Sequence, residues 1–479
     1  MVKMRVSAII PSYGKGFSKS ARWYTKSRSR CFRHPEYFLT AVAVLEKDGH
    51  EVQFIDATTH DIPEKTLVKQ VLGFNPEMVV IYCTTPSIYS DIHHGRLIKE
   101  KNKKIMTVLI GPHVSALPEE SLKIDKSIDV VAYGEFDYTL RDLANKKAIN
   151  KILGIVYRKN NKIYKNKSRP PIQNVDELPF PAWHHIKIED YPDPGKLYPF
   201  ITLITGRGCP NYCTFCVNTP LLFKRVFRPR TAKNIVDEIE YDLQLFPQIQ
   251  EFMIETDTFT AYSDHVRDFC HELLKRNLKI KWSCNIRVDI DLSLLPIMKK
   301  TGCRMLMIGY ESGNQRCLDV VCKRVNLVQS KKFTEVAHKL GFILHGCFMF
   351  GFPEETPEEA QKTIDFAKSL PLDTVQFSGI TAYPGTPIYE WAKQKGYLVP
   401  KDWTEWVSPE KEQVTVLSYP QFSKEQIDFY IDKALKEFYL RPSQMIRMAS
   451  NIRSLPDVKR KLFGFKSFLD YFSSKNSKS

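Results

Sequence analysis

Three cysteines lie close together in the segment 208–216, whose sequence is GCPNYCTFC. Cys209, Cys213 and Cys216 are spaced C-x3-C-x2-C, on a short loop after the apolar run 200–204 (FITLI), which predicts a buried strand. Cysteine thiolates hold iron–sulfur clusters, and a 4Fe–4S cluster held by three of them keeps its fourth iron open to a small molecule. The spacing therefore predicts a 4Fe–4S cluster that passes an electron to a molecule bound at the open iron.

The alternatives to a cluster at these cysteines are a structural zinc site and plain buried thiols or disulfides. Structural zinc is almost always four-coordinate, and no fourth cysteine or histidine follows at a zinc-like spacing. The odd local number of cysteines and the lack of an export signal argue against disulfides. The other eight cysteines form no second cluster motif, and we interpret most of them as buried apolar residues.

The three-cysteine loop, with the aromatic Phe215 before its last cysteine, resembles the cluster loop of the radical S-adenosylmethionine (SAM) superfamily. The resemblance implies that the amino and carboxylate groups of SAM bind the open iron. An electron from an external donor of the flavodoxin or ferredoxin type then cleaves SAM to methionine and a 5′-deoxyadenosyl radical, which abstracts a hydrogen atom from the substrate. We therefore expect an enzyme whose cofactors are a 4Fe–4S cluster and SAM.

Six apolar runs after residue 198 alternate with helical patterns, and they predict strands at 200–205, 251–255, 281–286, 304–309, 343–350 and 374–379. Alternating strands and helices indicate a parallel sheet. Six such units resemble the open (β/α)6 partial TIM barrel of the superfamily, and we place this barrel at residues 199–400. In barrels of this kind the chemistry occurs at the carboxyl ends of the strands.

Polar side chains occur at these strand ends, and the candidate SAM-binding residues are Glu255, Asp257, Ser283, Asn285, Arg287 and Glu311. By resemblance, one of the two acids after the second strand holds the SAM ammonium, and the sequence leaves the choice between them open. The acid after the fourth strand corresponds to the one that binds the ribose hydroxyls. The three residues on the third strand are expected to complete the ribose and carboxylate contacts. No catalytic residue is assigned.

Residues 1–150 show a βαβα alternation that predicts an α/β domain with a doubly wound parallel sheet. Ligands of such sheets bind beyond the carboxyl ends of the strands. The segments 45–52 (LEKDGHEV), 111–120 (GPHVSALPEE) and 131–135 (VAYGE) resemble the Rossmann-like cobalamin (B12)-binding domain found before many radical SAM barrels. The resemblance implies a set of candidate cobalamin contacts at the strand ends: Thr84, Thr85, Gly111, His113, Gly134 and Glu135.

The sequence leaves open whether cobalamin binds. The D-x-H-x-x-G signature, whose histidine ligates cobalt in other cobalamin proteins, is absent. The near match at 91–95 (DIHHG) is one residue short and begins a helix, and we interpret His93 and His94 as surface residues. Many relatives bind the corrinoid without a histidine ligand, so cobalamin stays a candidate third cofactor.

The remaining segments connect or follow the two main domains. Residues 151–198 predict a β-hairpin and a proline-rich linker, which we expect to be extended and semi-rigid. Residues 401–479 predict a small helical C-terminal domain with a basic tail. A helix from Ser423 to Tyr439 has apolar residues at i, i+3 and i+4 spacing, and we expect this region to close the open side of the barrel.

A formal net charge of +16 suggests an anionic partner. Basic residues concentrate in the segment 14–34 and in the tail after Arg441, where aromatic residues are interleaved with them. We find no RNA-binding module, so nucleic acid is a poor candidate and we rank peripheral contact with an anionic membrane surface above it. No apolar run reaches the length of a membrane-spanning helix, and the first residues resemble no signal peptide. We therefore expect a cytoplasmic protein, peripheral at the inner membrane surface.

The reaction is suggested by a narrower resemblance. The segments 255–260 (ETDTFT), 282–285 (WSCN), 309–313 (GYESG) and 438–443 (FYLRPS) resemble a lipid-modifying branch of the superfamily, which includes the hopanoid cyclitol-ether enzyme and calditol synthase. Our first hypothesis is a radical carbon-skeleton rearrangement of a small-molecule or lipid-linked sugar or polyol. The alternatives are cobalamin-dependent methylation of an unactivated carbon and, in another class, a non-catalytic iron–sulfur or nucleic-acid-binding protein. RNA methylthiolation is disfavoured because the chain lacks a second three-cysteine set.

Overall fold

The computed structural model describes residues 3–19, 24–27, 31–217 and 219–450. Within these residues, two sheets flanked by helices are joined by a connecting segment and followed by a helical C-terminal region. None of the described helices combines the length and the apolar character needed to cross a membrane.

The N-terminal half alternates short strands with helices. Its strands are β1 (Arg5–Ile10), β2 (Phe17–Ser18), β3 (Thr25–Lys26), β4 (Glu51–Asp56), β5 (Met78–Tyr82), β6 (Met106–Ile110), β7 (Val130–Ala132), β8 (Ile155–Lys159) and β9 (Lys162–Lys165). Its helices are α1 (Glu36–Lys47), α2 (Glu64–Phe74), α3 (Ile88–Lys101), α4 (Pro112–Ala116), α5 (Pro118–Ile124) and α6 (Asp137–Ala144).

The first sheet has the strand order β4-β1-β5-β6-β7-β8-β9 in the described chain. It is parallel from β4 to β7, and β5 is buried along its whole length because α1 and α6 cover one face while α2, α3 and α5 cover the other. The strand order reverses between β1 and β5, where doubly wound sheets bind their ligands. The hairpin β8–β9, which we placed in the connecting segment 151–198, pairs antiparallel with β7 and extends this sheet.

The second half carries the barrel. Its strands are β10 (Phe200–Leu203), β11 (Gly206–Arg207), β12 (Arg228–Pro229), β13 (Glu251–Ile254), β14 (Trp282–Ile286), β15 (Cys303–Glu311), β16 (Ile343–Phe350) and β17 (Thr374–Gly379). Its helices are α7 (Ala232–Leu245), α8 (Ser263–Lys275), α9 (Leu294–Lys300), α10 (Gln315–Val320), α11 (Leu327–Lys339), α12 (Pro357–Ser369) and α13 (Pro387–Lys395).

The second sheet is parallel throughout, in the order β10-β13-β14-β15-β16-β17, as the six βα units predict. Burial alternates along β15: Leu306, Ile308 and Tyr310 are buried, whereas Met307 and Glu311 are partly exposed. Because successive side chains of a strand point to opposite faces, the partly exposed set lines the inner face of the barrel. Local capping fixes the helices that follow, as at α12, where Thr356 and Glu359 form a capping box.

The C-terminal region covers the barrel at β17. The helix predicted from Ser423 to Tyr439 is α14 (Lys424–Tyr439), and it is followed by α15 (Pro442–Ser450). The predicted face of α14 is buried, including Ile427, Ile431 and Phe438. The Tyr439 hydroxyl donates to the carbonyl oxygen of Val375 in β17 (2.8 Å) and accepts a hydrogen bond from its amide (2.9 Å). The edge of the sheet is therefore capped by a side chain.

Two expectations about surface groups need correction. His94 is 4 % exposed and its Nδ1 lies 2.7 Å from the carbonyl oxygen of Ser90, so it is a buried residue of α3 and not a surface histidine. In the basic segment 14–34, Lys19 is buried in an ion pair with Asp91, and Arg33 is buried as well. These two cations do not face an anionic surface. Of the basic tail after Arg441, residues 442–450 form α15, and the part from residue 451 on lies outside the described residues, as do positions 20–23 and 28–30.

Candidate active site

The cysteine loop begins at a narrow neck beyond β10. The two-residue strands β11 and β12 pair antiparallel, with Arg207 opposite Arg228, and the loop 208–227 lies between them. Gly208 has φ of +85°, and a Cβ there would lie 2.2 Å from the carbonyl oxygen of Val226. Only glycine fits where the two sides of the neck approach so closely. The residue before the first cysteine thus fixes the start of the loop.

Backbone hydrogen bonds hold the loop against two other parts of the barrel. The Thr214 amide donates to the carbonyl oxygen of Val321 after α10 (3.0 Å), and the Ile388 amide of α13 donates to the Thr214 carbonyl oxygen (3.3 Å). Cys213 is buried, whereas Cys209 and Cys216 are partly exposed. The three thiols are therefore presented on a braced loop.

The spacing of the thiols fits a cluster better than a single metal ion. In the described part of the chain, three His, Cys, Asp or Glu ligand atoms lie within 4.8 Å of one another only at Glu46, His184 and His185. The three loop thiols are thus spread more widely than thiolates on one tetrahedral zinc, which at Zn–S bonds of about 2.3 Å are about 3.8 Å apart. Thiolates on three different irons of a cubane need a wider spacing than one zinc ion allows, so the loop is not arranged for a single tetrahedral zinc.

Two cations face the cysteines. Arg287, just after β14, pairs with Asp289 (2.7 Å) and donates to the carbonyl oxygen of Lys323 (2.8 Å). Burial lowers the pKa of Arg287, but Asp289 and the Cys213 and Cys209 thiols raise it above its usual value. Burial raises the pKa of the Cys213 thiol, and Lys323 and Arg287 oppose that rise. Since metal ligands must be thiolates, the two cations favour the ligating form.

Glu311 joins this group through a strained backbone. It has φ of +67° at an irregularity of the β15–β16 pairing, and its carboxylate lies 2.6 Å from the Lys323 ammonium. A Cβ at Gly309 would lie 2.5 Å from Glu311 Oε1, so glycine leaves the room that the ion pair needs. A non-glycine residue in this conformation costs about 1–3 kcal/mol and is typical of functional sites. The structure thus brings Glu311 to the same end of the barrel as Arg287 and Cys213.

The first acid after the second barrel strand is engaged by a cation. Glu255 is 4 % exposed, and its Oε2 lies 3.2 Å from Nε of Arg33, which comes from the N-terminal half. Arg33 also donates to Asp193 in the connecting segment (2.6 Å). Asp257 and Asn285 are partly buried at the ends of the neighbouring strands β13 and β14. A ligand ammonium at Glu255 would therefore have to share that carboxylate with a guanidinium.

Ser283 lies at the other end of the barrel. Its Oγ donates to Glu251 Oε1 at the start of β13 (2.5 Å) and accepts from the buried ammonium of Lys196 (3.3 Å). Both partners are at the amino ends of the strands. The structure does not bring Ser283 together with Arg287 and Glu311, so the expected contact with SAM has no support from its position.

The candidate residues of the first sheet are largely enclosed by the protein itself. Thr84 and Thr85 follow β5 and are 0 % and 2 % exposed. The Thr84 hydroxyl lies 2.7 Å from the Ser87 hydroxyl, and His113 Nδ1 lies 3.3 Å from Thr85 Oγ1. The His113 ring packs against Trp403, and burial lowers its pKa to about 3, so the imidazole is neutral at pH 7. The side chains of Thr84, Thr85 and His113 therefore bind neighbouring groups within the loops.

The two glycines of the candidate set differ in their surroundings. Gly111 has φ of +113°, and a Cβ there would lie 2.4 Å from the carbonyl oxygen of Cys83, so it serves the close approach of two loops. Gly134 has φ of +77°, and the nearest atom to a Cβ there, the carbonyl oxygen of Leu221, is 4.0 Å away. Gly134 therefore faces the segment that follows the cysteines, with open space above it.

Glu135 makes ion pairs that the sequence did not predict. Its carboxylate oxygens each lie 2.9 Å from the guanidinium of Arg228, and one also accepts from the Ile172 amide (2.7 Å). Arg207 approaches Glu135 at 3.4 Å and binds Asp137 through two hydrogen bonds of 2.7 and 3.0 Å. Because Arg207 and Arg228 form the neck of the cysteine loop, Glu135 ties the first sheet to that loop. Its contact with cobalamin stays a prediction.

Comparison with known proteins identifies the family. The model of the radical SAM superfamily matches residues 203–367, and the model of the B12-binding domain matches residues 34–144. An uncharacterized methyltransferase of Pyrococcus horikoshii is 32% identical over 418 residues, which cover 86% of this chain and 89% of that protein. The chain belongs to the radical SAM superfamily.

Two further comparisons extend this result. The anaerobic magnesium-protoporphyrin IX monomethyl ester cyclase of Rubrivivax gelatinosus is 28% identical over 408 residues, which cover 81% of this chain and 70% of that protein. The solved structure of the radical SAM methyltransferase TsrM from Kitasatospora setae, with cobalamin and a [4Fe–4S] cluster bound, has a TM-score of 0.69 at 14% identity and covers 98% of this chain and 100% of that one. At this identity the likeness shows a shared fold.

The comparisons confirm the radical SAM barrel and the B12-binding domain before it, and membership in the superfamily implies a 4Fe–4S cluster and SAM as cofactors. Sequence reasoning missed two residues of the site, Arg33 and Lys323. Both residues have apolar or cysteine neighbours, in the segments 31–35 (CFRHP) and 320–325 (VVCKRV). These neighbours are the one available hint in the sequence that the two charged side chains are buried.

Proposed function

We propose that this chain is a cobalamin-dependent radical SAM methyltransferase that transfers a methyl group from SAM to a carbon atom of a small organic substrate. One observation carries the proposal: the cysteine loop lies between the carboxyl ends of the two sheets, joined to the first by Glu135 and to the second by the chain that follows β10. In that position a radical-forming group and a methyl carrier would face each other. The name of the Pyrococcus horikoshii relative, a methyltransferase, supports this choice.

Further contacts support a corrinoid between the two sheets. Helix α4 of the first half packs against the turn Thr219–Phe223, which follows the last cysteine. Tyr24 is buried between the halves, with its ring centroid 5.1 Å from that of Tyr383. Burial raises the pKa of Tyr24, and the neighbouring Tyr82, Tyr383 and Cys216 raise it further. The open face at Gly134 lies beside this junction. We infer that backbone edges and ring faces hold the corrinoid, without a cobalt-ligating histidine.

The residues beside the cysteines suit SAM. We assign the ribose to Glu311, whose strained conformation is held by Lys323, and the SAM carboxylate to Arg287. We prefer Asp257 over Glu255 for the ammonium, because the Glu255 carboxylate is already paired with Arg33. When bound, the cluster and the corrinoid supply reductive SAM cleavage and methyl carriage, while the protein positions and shields the reacting atoms.

The inner face of the barrel is the proposed substrate site. Partly exposed side chains line it on neighbouring strands, among them Met307 on β15, His345 and Cys347 on β16 and Ser378 on β17. His345 is held by Thr374 (2.8 Å), and burial together with Lys196 lowers its pKa to about 4. The imidazole is therefore neutral at pH 7. Such a mixed apolar and neutral lining suits an organic molecule with a few polar groups.

The reported relatives are methyltransferases and a cyclase, which favours methylation over the carbon-skeleton rearrangement of a lipid-linked sugar that we expected first. A lipid-linked substrate and peripheral membrane contact stay predictions. They depend mainly on the basic tail, most of which lies outside the described residues.

The proposal is tested by counting the products of SAM. The chain is purified anaerobically, reconstituted with iron and sulfide, loaded with hydroxocobalamin and incubated with dithionite and trideuteromethyl-SAM. Each methyl transfer consumes two SAM molecules and two electrons and yields one S-adenosylhomocysteine, one methionine, one 5′-deoxyadenosine and one methylated product. We expect S-adenosylhomocysteine only in the cobalamin-loaded protein, and 5′-deoxyadenosine only where the cluster is present.

A Cys209→Ala, Cys213→Ala, Cys216→Ala variant is the matched control, which should lose the iron–sulfur absorbance and 5′-deoxyadenosine but keep the corrinoid bands. Formation of 5′-deoxyadenosine by cobalamin-loaded protein without any S-adenosylhomocysteine would favour a rearrangement. Failure to retain the corrinoid under any loading condition would reject the methyltransferase proposal.

A further inference from the structure

A histidine–carboxylate cluster lies outside the active site, where the connecting segment meets the first sheet. Glu46 is in the last turn of α1, and His184 and His185 are in the 3-10 turn Trp183–His185. Glu46 Oε1 lies 3.2 Å from His184 Nε2 and 2.7 Å from His185 Nε2. Residues about 140 positions apart in sequence thus direct three ligand atoms to one point.

Packing on both sides fixes this arrangement. Trp183 is fully buried, with its ring 5.6 Å from that of His34, and the Ala182 amide donates to the carbonyl oxygen of Leu39 in α1 (3.1 Å). The His185 ring packs near the Phe54 ring of β4, with 6.3 Å between the two ring centroids. The backbone that carries the two imidazoles is therefore attached to the helix that carries the carboxylate, and little rearrangement is needed to bring the three groups onto one ion.

The donor set and its exposure suit a zinc ion. Zinc binds imidazole nitrogen and carboxylate oxygen at about 2.0–2.2 Å, so the ligand atoms of a tetrahedral site lie about 3.3–3.5 Å apart. The two distances to Glu46 Oε1, 2.7 and 3.2 Å, are within a small side-chain adjustment of that value. The side chains of Glu46, His184 and His185 are 28%, 49% and 18% exposed, which leaves room for water as a fourth ligand.

We propose that Glu46, His184 and His185 form a zinc site that fixes the connecting segment to the B12-binding domain. Within the described residues this is the one place where three such ligand atoms converge within 4.8 Å. The site is separate from the cysteine loop and needs neither SAM nor methyl transfer. Three protein ligands with water at the fourth position are the ligand set of an open zinc site. The ion also joins α1 to the segment that leads into β10, and so helps to set the barrel against the first sheet.

The test uses the full chain with its cluster reconstituted, so that zinc does not enter the cysteine loop. The protein is dialysed against a chelator, and zinc chloride is titrated in competition with a chromophoric chelator. Zinc K-edge X-ray absorption then identifies the ligands. We expect one zinc per chain with a shell of N/O ligands at about 2.0–2.1 Å and imidazole scattering, without sulfur at about 2.3 Å.

The variants separate this site from surface binding. The His184→Ala, His185→Ala double variant and Glu46→Gln should each weaken zinc binding, the double variant by more than about 100-fold, since changes outside the first ligand shell alone cost 10–100-fold. His93→Ala is the matched control, because His93 is a partly exposed histidine paired with one carboxylate, Glu64, at 3.1 Å. Iron content and circular dichroism check that each variant is folded.

Zinc should raise the melting temperature of the wild type and of the control but not of the double variant. Three results would overturn the proposal: no zinc bound at micromolar concentration, a sulfur shell around the bound zinc, or equal zinc affinity in the wild type and the double variant.

Discussion

Replacing Glu135 by glutamine should weaken the junction between the first sheet and the cysteine loop. The two carboxylate oxygens accept hydrogen bonds from the two terminal nitrogens of Arg228, whose side chain is only 6% exposed. In the variant, Arg228 keeps hydrogen bonds to the carbonyl oxygens of Ile172 and Phe223 but has no carboxylate partner. Arg207 keeps its two bonds to Asp137. Removing one partner of a buried ion pair costs about 3–5 kcal/mol, and the lower figure applies here because the amide oxygen still accepts hydrogen bonds.

The measurement is the midpoint of the first unfolding transition in urea, with the cluster in place. At a slope of about 3 kcal/mol/M, a loss of about 3 kcal/mol lowers the midpoint by about 1 M. The control is Glu119→Gln, because Glu119 pairs with Lys165 at 3.0 Å with both side chains about half exposed. Exposed pairs contribute at most about 1 kcal/mol, so the control should move little. If Glu135→Gln and Glu119→Gln shift the midpoint equally, the buried network does not stabilise the junction.

Three further predictions concern the loop, the SAM site and pH. Gly208→Ala should abolish cluster incorporation, measured as iron per chain. The control Gly49→Ala should leave it intact, because Gly49 also has positive φ but has nothing within 4 Å of a Cβ. Equal iron in both variants would contradict the steric argument. Lys323→Met, which removes the partner of Glu311, should weaken SAM binding to the cluster-loaded chain about tenfold, or about 1.4 kcal/mol, in calorimetry, and an unchanged affinity would refute the assignment. Burial raises the pKa of Glu355 to about 8. Its proton therefore stabilises the fold fully below pH 4.5, and this contribution, about 5 kcal/mol at most, is lost as the pH rises from 4.5 through 8. Urea midpoints of the wild type should fall relative to Glu355→Gln between pH 5 and 9, and parallel pH profiles would disprove this.

Much of the fold follows from sequence periodicity. The predicted barrel strands 343–350 and 374–379 coincide with β16 and β17, because each is a continuous or alternating apolar run between clear turn signals. The spacing of the three cysteines alone predicts their role, and the loop geometry fits it. Patterns within one segment are visible in the sequence, since backbone periodicity and short motifs are local properties.

Partners that come from distant segments were not predictable. The place of Glu135 at a strand end suggests a cobalamin contact, but its partner Arg228 lies 93 positions away. Nothing in the composition of either segment selects one partner over another. The same holds for Arg33 with Glu255, and for the positive φ of Glu311, which depends on the space left by Gly309. Charge pairing across the junction is decided by tertiary packing, and the local sequence does not encode it.

The buried ion pairs between the N-terminal half and the barrel indicate how the two halves are held together. Buried ion pairs add little net stability compared with apolar packing, because desolvation offsets most of the attraction, yet breaking one is costly. A junction that depends on Glu135 with Arg228 and on Glu255 with Arg33 therefore disfavours every docking geometry that leaves one of these charges alone. Radical transfer needs reacting atoms held at a fixed separation, and a small displacement costs a large factor in rate. We therefore expect these charges to serve the geometry between the cluster loop and the B12-binding domain more than the stability of either half.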